Sequence, residues 1–265
     1  MADKCSGDPR LAALYDPLDP DRSDLDAYVR MAEEFGARRV LDIGCGTGVF
    51  ALLLADRGIE VVGIDPDRAS LDVARAKTGS ARVRWICGDA TTLGDATTLG
   101  DATTLGDVTA LGDVTAFPAP HVDLVTMTAN VAQEIADPSL WRQTLRGAYE
   151  ALRPGGRLVF ETRDPARRAW EEWHREGSYR VAQVPGIGVV ESWVQLIEVN
   201  RPLVTFRGTC VFAADGQVLT ADSTLRFRER QEVERDLVAH GFAVEDVRDA
   251  PDRPGREFVF VARRP

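Results

Sequence analysis

RRVLDIGCGTGVFALLLADRG, residues 38–58, reads as a short apolar strand over Val40 to Ile43, a glycine-rich turn, and an apolar helix closing at Gly58. Downstream the pattern repeats. EVVGIDPD is a second strand ending at Asp65, SLDVARAKT a helix, VRWICGD a third strand, and VDLVTMT a fourth. SLWRQTLRGAYEAL follows as a helix and GGRLVFETRD as a fifth strand. Strands alternating with helices predict a doubly wound, Rossmann-like α/β fold with a mostly parallel sheet and right-handed crossovers. Upstream, Leu25, Tyr28, Val29, Ala32 and Phe35 fall at helical spacing, with Ser23 or Asp24 available as N-cap. At the C-terminal side RQEVERDLVAHG predicts a helix, and FAVEDVRD with REFVFVARR a closing hairpin that brings the sheet to seven strands.

Two segments break this rhythm. Residues 181–228 carry three β-rich runs, separated by Asn200-Arg201-Pro202 and Ala214-Asp215-Gly216, and predict an antiparallel β cap inserted after strand five. The expected division is therefore a core of 1–180 and 229–265 with a cap of 181–228, which covers the ligand site or forms a subunit interface. Residues 88–117 read GDATTL three times, then GDVTAL and GDVTAF. A β-helix needs about three hexapeptides per coil and several stacked coils, so this tandem repeat reads as an expansion within one loop.

With 44% hydrophobic residues among 265, the chain can bury one good core. A net charge of −10 offers no basic surface for phosphates or anionic lipid. Nucleic acid and membrane partners are not expected, and the apolar runs fall short of the roughly 20 residues that span a bilayer. A cytoplasmic location follows as the expectation. Cys5, Cys45, Cys87 and Cys210 lack metal-ligand spacing, so no metal site and no disulfide frame is expected. Edge-to-edge pairing of the meander would give a homodimer.

The chemistry concentrates in the turn. In an open α/β sheet the ligand sits at the carboxyl ends of the strands, where glycines admit a ligand close to the backbone. The nicotinamide fingerprint is G-x-G-x-x-G. Here Gly44, Gly46 and Gly48 bring the third glycine one residue early, and Asp42 precedes the first glycine by two, which favours another adenosyl ligand. Asp65, 21 residues beyond Gly44, stands where a carboxylate accepts hydrogen bonds from ribose hydroxyls.

Together Val40 to Ala55, Val61 to Asp67, Gly88-Asp89-Ala90, Val122 to Thr128 and Leu152 to Glu161 resemble the successive motifs of class I S-adenosylmethionine-dependent methyltransferases of the bacterial small-molecule type. The resemblance covers roughly residues 24–164. It implies that S-adenosyl-L-methionine is the cofactor, and that Asp42 and the Gly44, Cys45, Gly46, Gly48 loop hold its methionyl part. By the same resemblance Asp65 holds the ribose, Ile64 and Pro66 flank ribose and adenine, and Asp89 with Ala90 meets the adenine, Thr128 completing the site. Asp113, in the last repeat, has nearly the same local sequence as Asp89, but only Asp89 is fixed at a strand end.

Methyl transfer from an activated sulfonium asks mainly for alignment and exclusion of water. An amine must be unprotonated, whereas a hydroxyl usually needs a base. Glu161, His174 and Tyr28 are the candidate catalytic groups; Tyr15, Asn130, Arg163, Trp170 and Trp173 are candidates for acceptor binding. Each has a structural alternative: aromatic packing for Tyr28 and the tryptophans, an ion pair for Glu161 and Arg163, solvation for His174. His121 lies in a loop away from the methyl. The expected function is methyl transfer to N or O of a small molecule. The alternatives are C-methylation or a non-methylating reaction on the same fold, or a noncatalytic interaction protein retaining the cofactor site.

Overall fold

Val40 packs to one side of the first strand and Leu41 and Ile43 to the other, all three buried, as the two-residue period of a strand covered on both faces requires. The computed structural model describes residues 7–89 and 122–265. Strands run in chain order as β1 (Arg39–Ile43), β2 (Glu60–Asp65), β3 (Val83–Cys87), β4 (Val122–Met127), β5 (Leu152–Arg163), β6 (Arg180–Val184), β7 (Gly188–Asn200), β8 (Leu203–Phe212), β9 (Val218–Arg226), β10 (Ala243–Asp249) and β11 (Glu257–Arg263). Helices are α1 (Pro9–Ala12), α2 (Tyr15–Leu18), α3 (Asp26–Glu34), α4 (Val49–Ala55), α5 (Arg68–Ala76), α6 (Val131–Glu134), α7 (Pro138–Ala151), α8 (Arg175–Ser178) and α9 (Arg230–Ala239).

Seven strands form one sheet in the order β10-β11-β5-β4-β1-β2-β3. β1 to β5 are parallel, and β11 returns antiparallel to β5. One face is covered by α3 and α4, through Tyr28, Val29, Ala32, Phe50 and Leu54. The other is covered by α7 and α9, through Trp141, Leu145, Val233 and Leu237. Chain order reverses between β1 and β4, so the loops leaving these two strands part and open a crevice.

The second sheet, β6-β7-β8-β9, is antiparallel and inserted between β5 and α9. Its first strand escaped the sequence because RVAQV is only five residues long. The N-terminal side also differs: α1 and α2 precede the expected helix, and Ser23 and Asp24 form a 3₁₀ turn rather than cap α3. Leu11, Leu14 and Leu18 pack on Val184, Val190 and Phe212 of the second sheet. That apolar contact lays the N-terminal helices over the crevice with the inserted sheet behind them. Among the described residues no helix is long and apolar enough to cross a membrane. The repeat beyond Asp89, with Ala90, Asp113 and His121, lies outside the described residues.

Candidate active site

A cavity of about 560 Å³ occupies the crevice at the carboxyl ends of β1, β2 and β4. Ile43, Gly44 and Gly46 line it after β1, Ile64, Asp65 and Pro66 after β2, Gly88 and Asp89 after β3, and Ala129 and Val131 after β4. Gly44 has φ +71 and a methyl group there would come within 2.5 Å of Val131, so close packing of two loops demands glycine. Gly46, at φ +52, faces open space instead; a side chain there would stand in the cavity. Asp65 fixes this loop: its two carboxylate oxygens accept from the Gly46 N–H and the Asp67 N–H, each at 2.7 Å. Each oxygen keeps a second lone pair for a ligand. Burial raises the Asp65 carboxyl above its usual range, against the pull of those two N–H groups.

Asp42, one residue behind Ile43, is buried and does not reach the wall. Its Oδ1 accepts from Thr126 Oγ1 at 2.9 Å, and its Oδ2 has no partner. Burial pushes this carboxyl from an ordinary 3.8 up to about 7. A carboxyl whose folded pKa lies above its unfolded value binds its proton more tightly when folded, so stability is lost as pH rises from about 4 to 7. At about 1.4 kcal/mol per pH unit this amounts to a few kcal/mol. Asp42→Asn keeps the acceptor for Thr126 and removes the titration. Urea midpoints at pH 5 and pH 8 should therefore fall less in Asp42→Asn than in the wild type; equal falls would refute the assignment.

The other predicted cofactor residues stand behind the wall. Cys45 is buried against Gly63, Gly48 abuts Trp85, and Thr128 is buried at the end of β4. Thr47 has a role the sequence did not reveal: its Oγ1 donates to Asp16 Oδ1 at 2.6 Å, and Lys77 Nζ bridges Asp16 Oδ2 at 2.5 Å and the Thr47 carbonyl at 2.7 Å. These bonds strap α2, with Tyr15, across the glycine loop.

A second cavity of about 180 Å³ adjoins the first, sharing Tyr15 and Ala129. Tyr28, Asn130, Glu161 and Arg163 line it, joined by Asp19, Arg22, Asp24, Asp252, Arg253 and Glu257. Antiparallel pairing sets Glu257 opposite Arg163 and so brings the start of β11 to the carboxyl edge of β5. Glu161 Oε1 accepts from the Asn130 N–H at 2.5 Å. Burial pushes this carboxyl up to about 7, against the Tyr28 hydroxyl and the Asn130 N–H. Arg163 donates to Gln133 Oε1 from its backbone N–H at 3.2 Å and its guanidinium at 3.1 Å.

Between the cavities, Ala129 and Asn130 hold φ of +57 and +63, a left-handed pair in residues other than glycine. Such a conformation costs roughly 1–2 kcal/mol per residue. Ala129→Gly relieves it at an entropic cost of about 0.5–1 kcal/mol. Chemical denaturation should show a gain of about 0–1.5 kcal/mol; a loss would mean that contacts of the methyl group set this position.

Trp170 is 3% exposed and packs edge-on to Phe227 with ring centroids 4.7 Å apart. Trp173 packs on Phe206 and Phe227, with the Arg163 guanidinium 5.8 Å from its ring. His174 caps α8 by accepting from the Gly177 N–H at 3.1 Å. None of these three lines either cavity.

A family of methyltransferase domains matches residues 16–189. The cypemycin N-terminal methyltransferase of a Streptomyces species is 32% identical over 143 residues, 53% of this chain and 48% of that protein. The chain spans about half or less of the length of the curated relatives it matches. Among solved structures, the CcbJ methyltransferase of Streptomyces caelestis superposes with a TM-score of 0.69 at 20% identity, covering 99% of each chain. CalS10, an amino pentose methyltransferase from Micromonospora echinaspora solved with S-adenosylmethionine bound, superposes with a TM-score of 0.63 at 20% identity, covering 97% of this chain and 98% of its own. At these identities the likeness establishes the fold.

Proposed function

The chain belongs to the methyltransferase domain family, and we propose that it transfers a methyl group from S-adenosylmethionine to nitrogen or oxygen of a small polar acceptor. The observation that carries this reading is the pair of adjoining cavities, the larger at the carboxyl ends of β1, β2 and β4 and the smaller lined with polar side chains. The larger fits the cofactor by its donors and acceptors. Asp65 has spare lone pairs at a strand end, Gly46 leaves room beside the backbone, and Ile43, Ile64 and Val131 supply apolar walls. In this reading Asp65 holds the ribose, Asp89 the adenine end, and the Gly44 to Gly46 loop the methionyl part. The bound cofactor supplies an electrophilic methyl carbon on a sulfonium, which leaves with its bonding pair.

The chain's own work is then to hold the acceptor in line and keep water out. The Asp16, Thr47 and Lys77 strap closes one side of the crevice, and Ala129 and Asn130 shape the junction between the cavities. The printed activities of the amino pentose and N-terminal methyltransferases support nitrogen as one target. C-methylation gains nothing from the second cavity, whose lining offers charged groups rather than an apolar pocket. Incubation with methyl-labelled S-adenosylmethionine and a fractionated pool of small metabolites tests the proposal. Label should appear in polar small products; label confined to protein or nucleic acid, or none at all, would refute it.

A further inference from the structure

We infer that the acceptor enters as a small, hydroxyl-bearing ammonium whose nitrogen docks on Glu161 in the second cavity. This rests on the methyltransferase reading and specifies its substrate. The cavity of about 180 Å³ has room for about six water-sized groups at ~30 Å³ each, which suits an amine with a few hydroxyls. Two fully buried atoms on residues that line it lack a hydrogen-bond partner: Glu161 Oε2, on a carboxyl that the Tyr28 hydroxyl also faces, and Asn130 Oδ1, on residues 2% and 4% exposed. Asn130 Oδ1 accepts only, as does Glu161 Oε2 once ionised, so whatever satisfies the pair in that state must bring donors.

Charge decides which donor. The cavity's guanidinium groups are already engaged: Arg22 with Asp24 at 3.1 Å, Arg253 with Glu257 at 2.8 Å, and Arg163 with Gln133 and, at 3.7 Å, Glu257. Among the described residues no arginine or lysine pairs with Glu161. Five carboxyl groups line the cavity, Asp19, Asp24, Glu161, Asp252 and Glu257, against the three guanidiniums of Arg22, Arg163 and Arg253, so an ammonium gains charge-assisted hydrogen bonds there that a neutral alcohol does not. Asn130 Oδ1 remains for a hydroxyl of the same molecule.

Glu161 then serves as proton acceptor. One N–H bond breaks, the proton moves to Glu161 Oε2, and the pair left on nitrogen becomes the nucleophile. Tyr28 from α3, the Asn130 N–H, Arg163 on β5 and Glu257 on β11 face this carboxyl, and burial holds it near 7 in the ligand-free protein. Because docking needs the carboxylate, amine affinity should rise as pH increases through about 7 and fall again once the amine itself loses its proton.

Calorimetry on the full chain saturated with S-adenosylhomocysteine tests this, with 2-amino-1,3-propanediol and 2-aminoethanol as probes against glycerol and ethylene glycol. The amines should bind roughly 10-fold or more tightly than their matched alcohols, and more tightly at pH 8 than at pH 6. Glu161→Gln should lose that margin while keeping S-adenosylhomocysteine affinity within about twofold, which also reports that the variant is folded. Amines no tighter than alcohols, an undiminished margin in Glu161→Gln, or tighter binding of a trialanine N-terminus than of either amine would each overturn the inference. Loss of S-adenosylhomocysteine binding in the wild type would instead overturn the methyltransferase reading beneath it.

Discussion

Asp65→Ala should weaken S-adenosylhomocysteine binding by about 100-fold or more. Two charge-assisted hydrogen bonds to a ligand, each worth about 1.5–3 kcal/mol, set that scale. The substitution also frees the Gly46 and Asp67 N–H groups that Asp65 accepts from, so the glycine loop loses its anchor at the same moment. Asp65→Asn should be nearly as damaging. An amide presents one acceptor and one donor, and can satisfy only one of those two N–H groups. Calorimetric titration of both variants checks this; affinity within a few-fold of wild type would show that the cavity at the ends of β1 and β2 is not the adenosyl site.

The largest loss of stability is expected at Arg228, far in sequence from either cavity wall. Its side chain is 1% exposed, donates to the Ala132 and Ile135 carbonyls at 2.7 and 2.6 Å, and lies 4.3 Å from the Trp141 ring. Burial pushes the guanidinium down to about 10, and it remains charged at neutral pH. These carbonyls belong to α6 and the residue after it, which would otherwise end without partners. Arg228→Met preserves the packing on Trp141 but leaves both carbonyls unsatisfied, at a cost of about 2–5 kcal/mol. Arg228→Lys should recover little, since the two carbonyls take their donors from two different nitrogens of the planar guanidinium, a fork that a single ammonium does not reproduce. Urea denaturation measures the loss. Because Val131, Glu134 and Ile135 line the larger cavity, S-adenosylhomocysteine affinity should fall with it; a stable Arg228→Met would show that water replaces the guanidinium.

What the sequence disclosed and what it hid divide along a physical line. The β1, turn and α4 stretch is legible because strand, glycine turn and helix are contiguous, and a close backbone approach leaves no substitute for Gly44. Asp65 is legible because the second strand ends there and parallel strands put their carboxyl ends on one edge. The second cavity is not contiguous. Arg22 and Asp24 sit in an acidic stretch that reads as solvated surface, and Asp252, Arg253 and Glu257 arrive from more than 200 residues away. One signal was present: a hairpin closing antiparallel on the fifth strand must return its Glu257 beside Arg163. The inserted sheet was visible as β-rich runs, but its packing depends on Leu11, Leu14 and Leu18 of helices too short to announce themselves by period. For Arg228, nothing in FRERQEV distinguishes a buried guanidinium from its exposed neighbours.

The central claim, an S-adenosylmethionine site in the larger cavity, is tested most directly by titrating S-adenosylhomocysteine and NAD into the wild-type chain by calorimetry. Saturable one-to-one binding of S-adenosylhomocysteine with no heat from NAD is the predicted result. Binding of NAD, or of neither ligand, would contradict it.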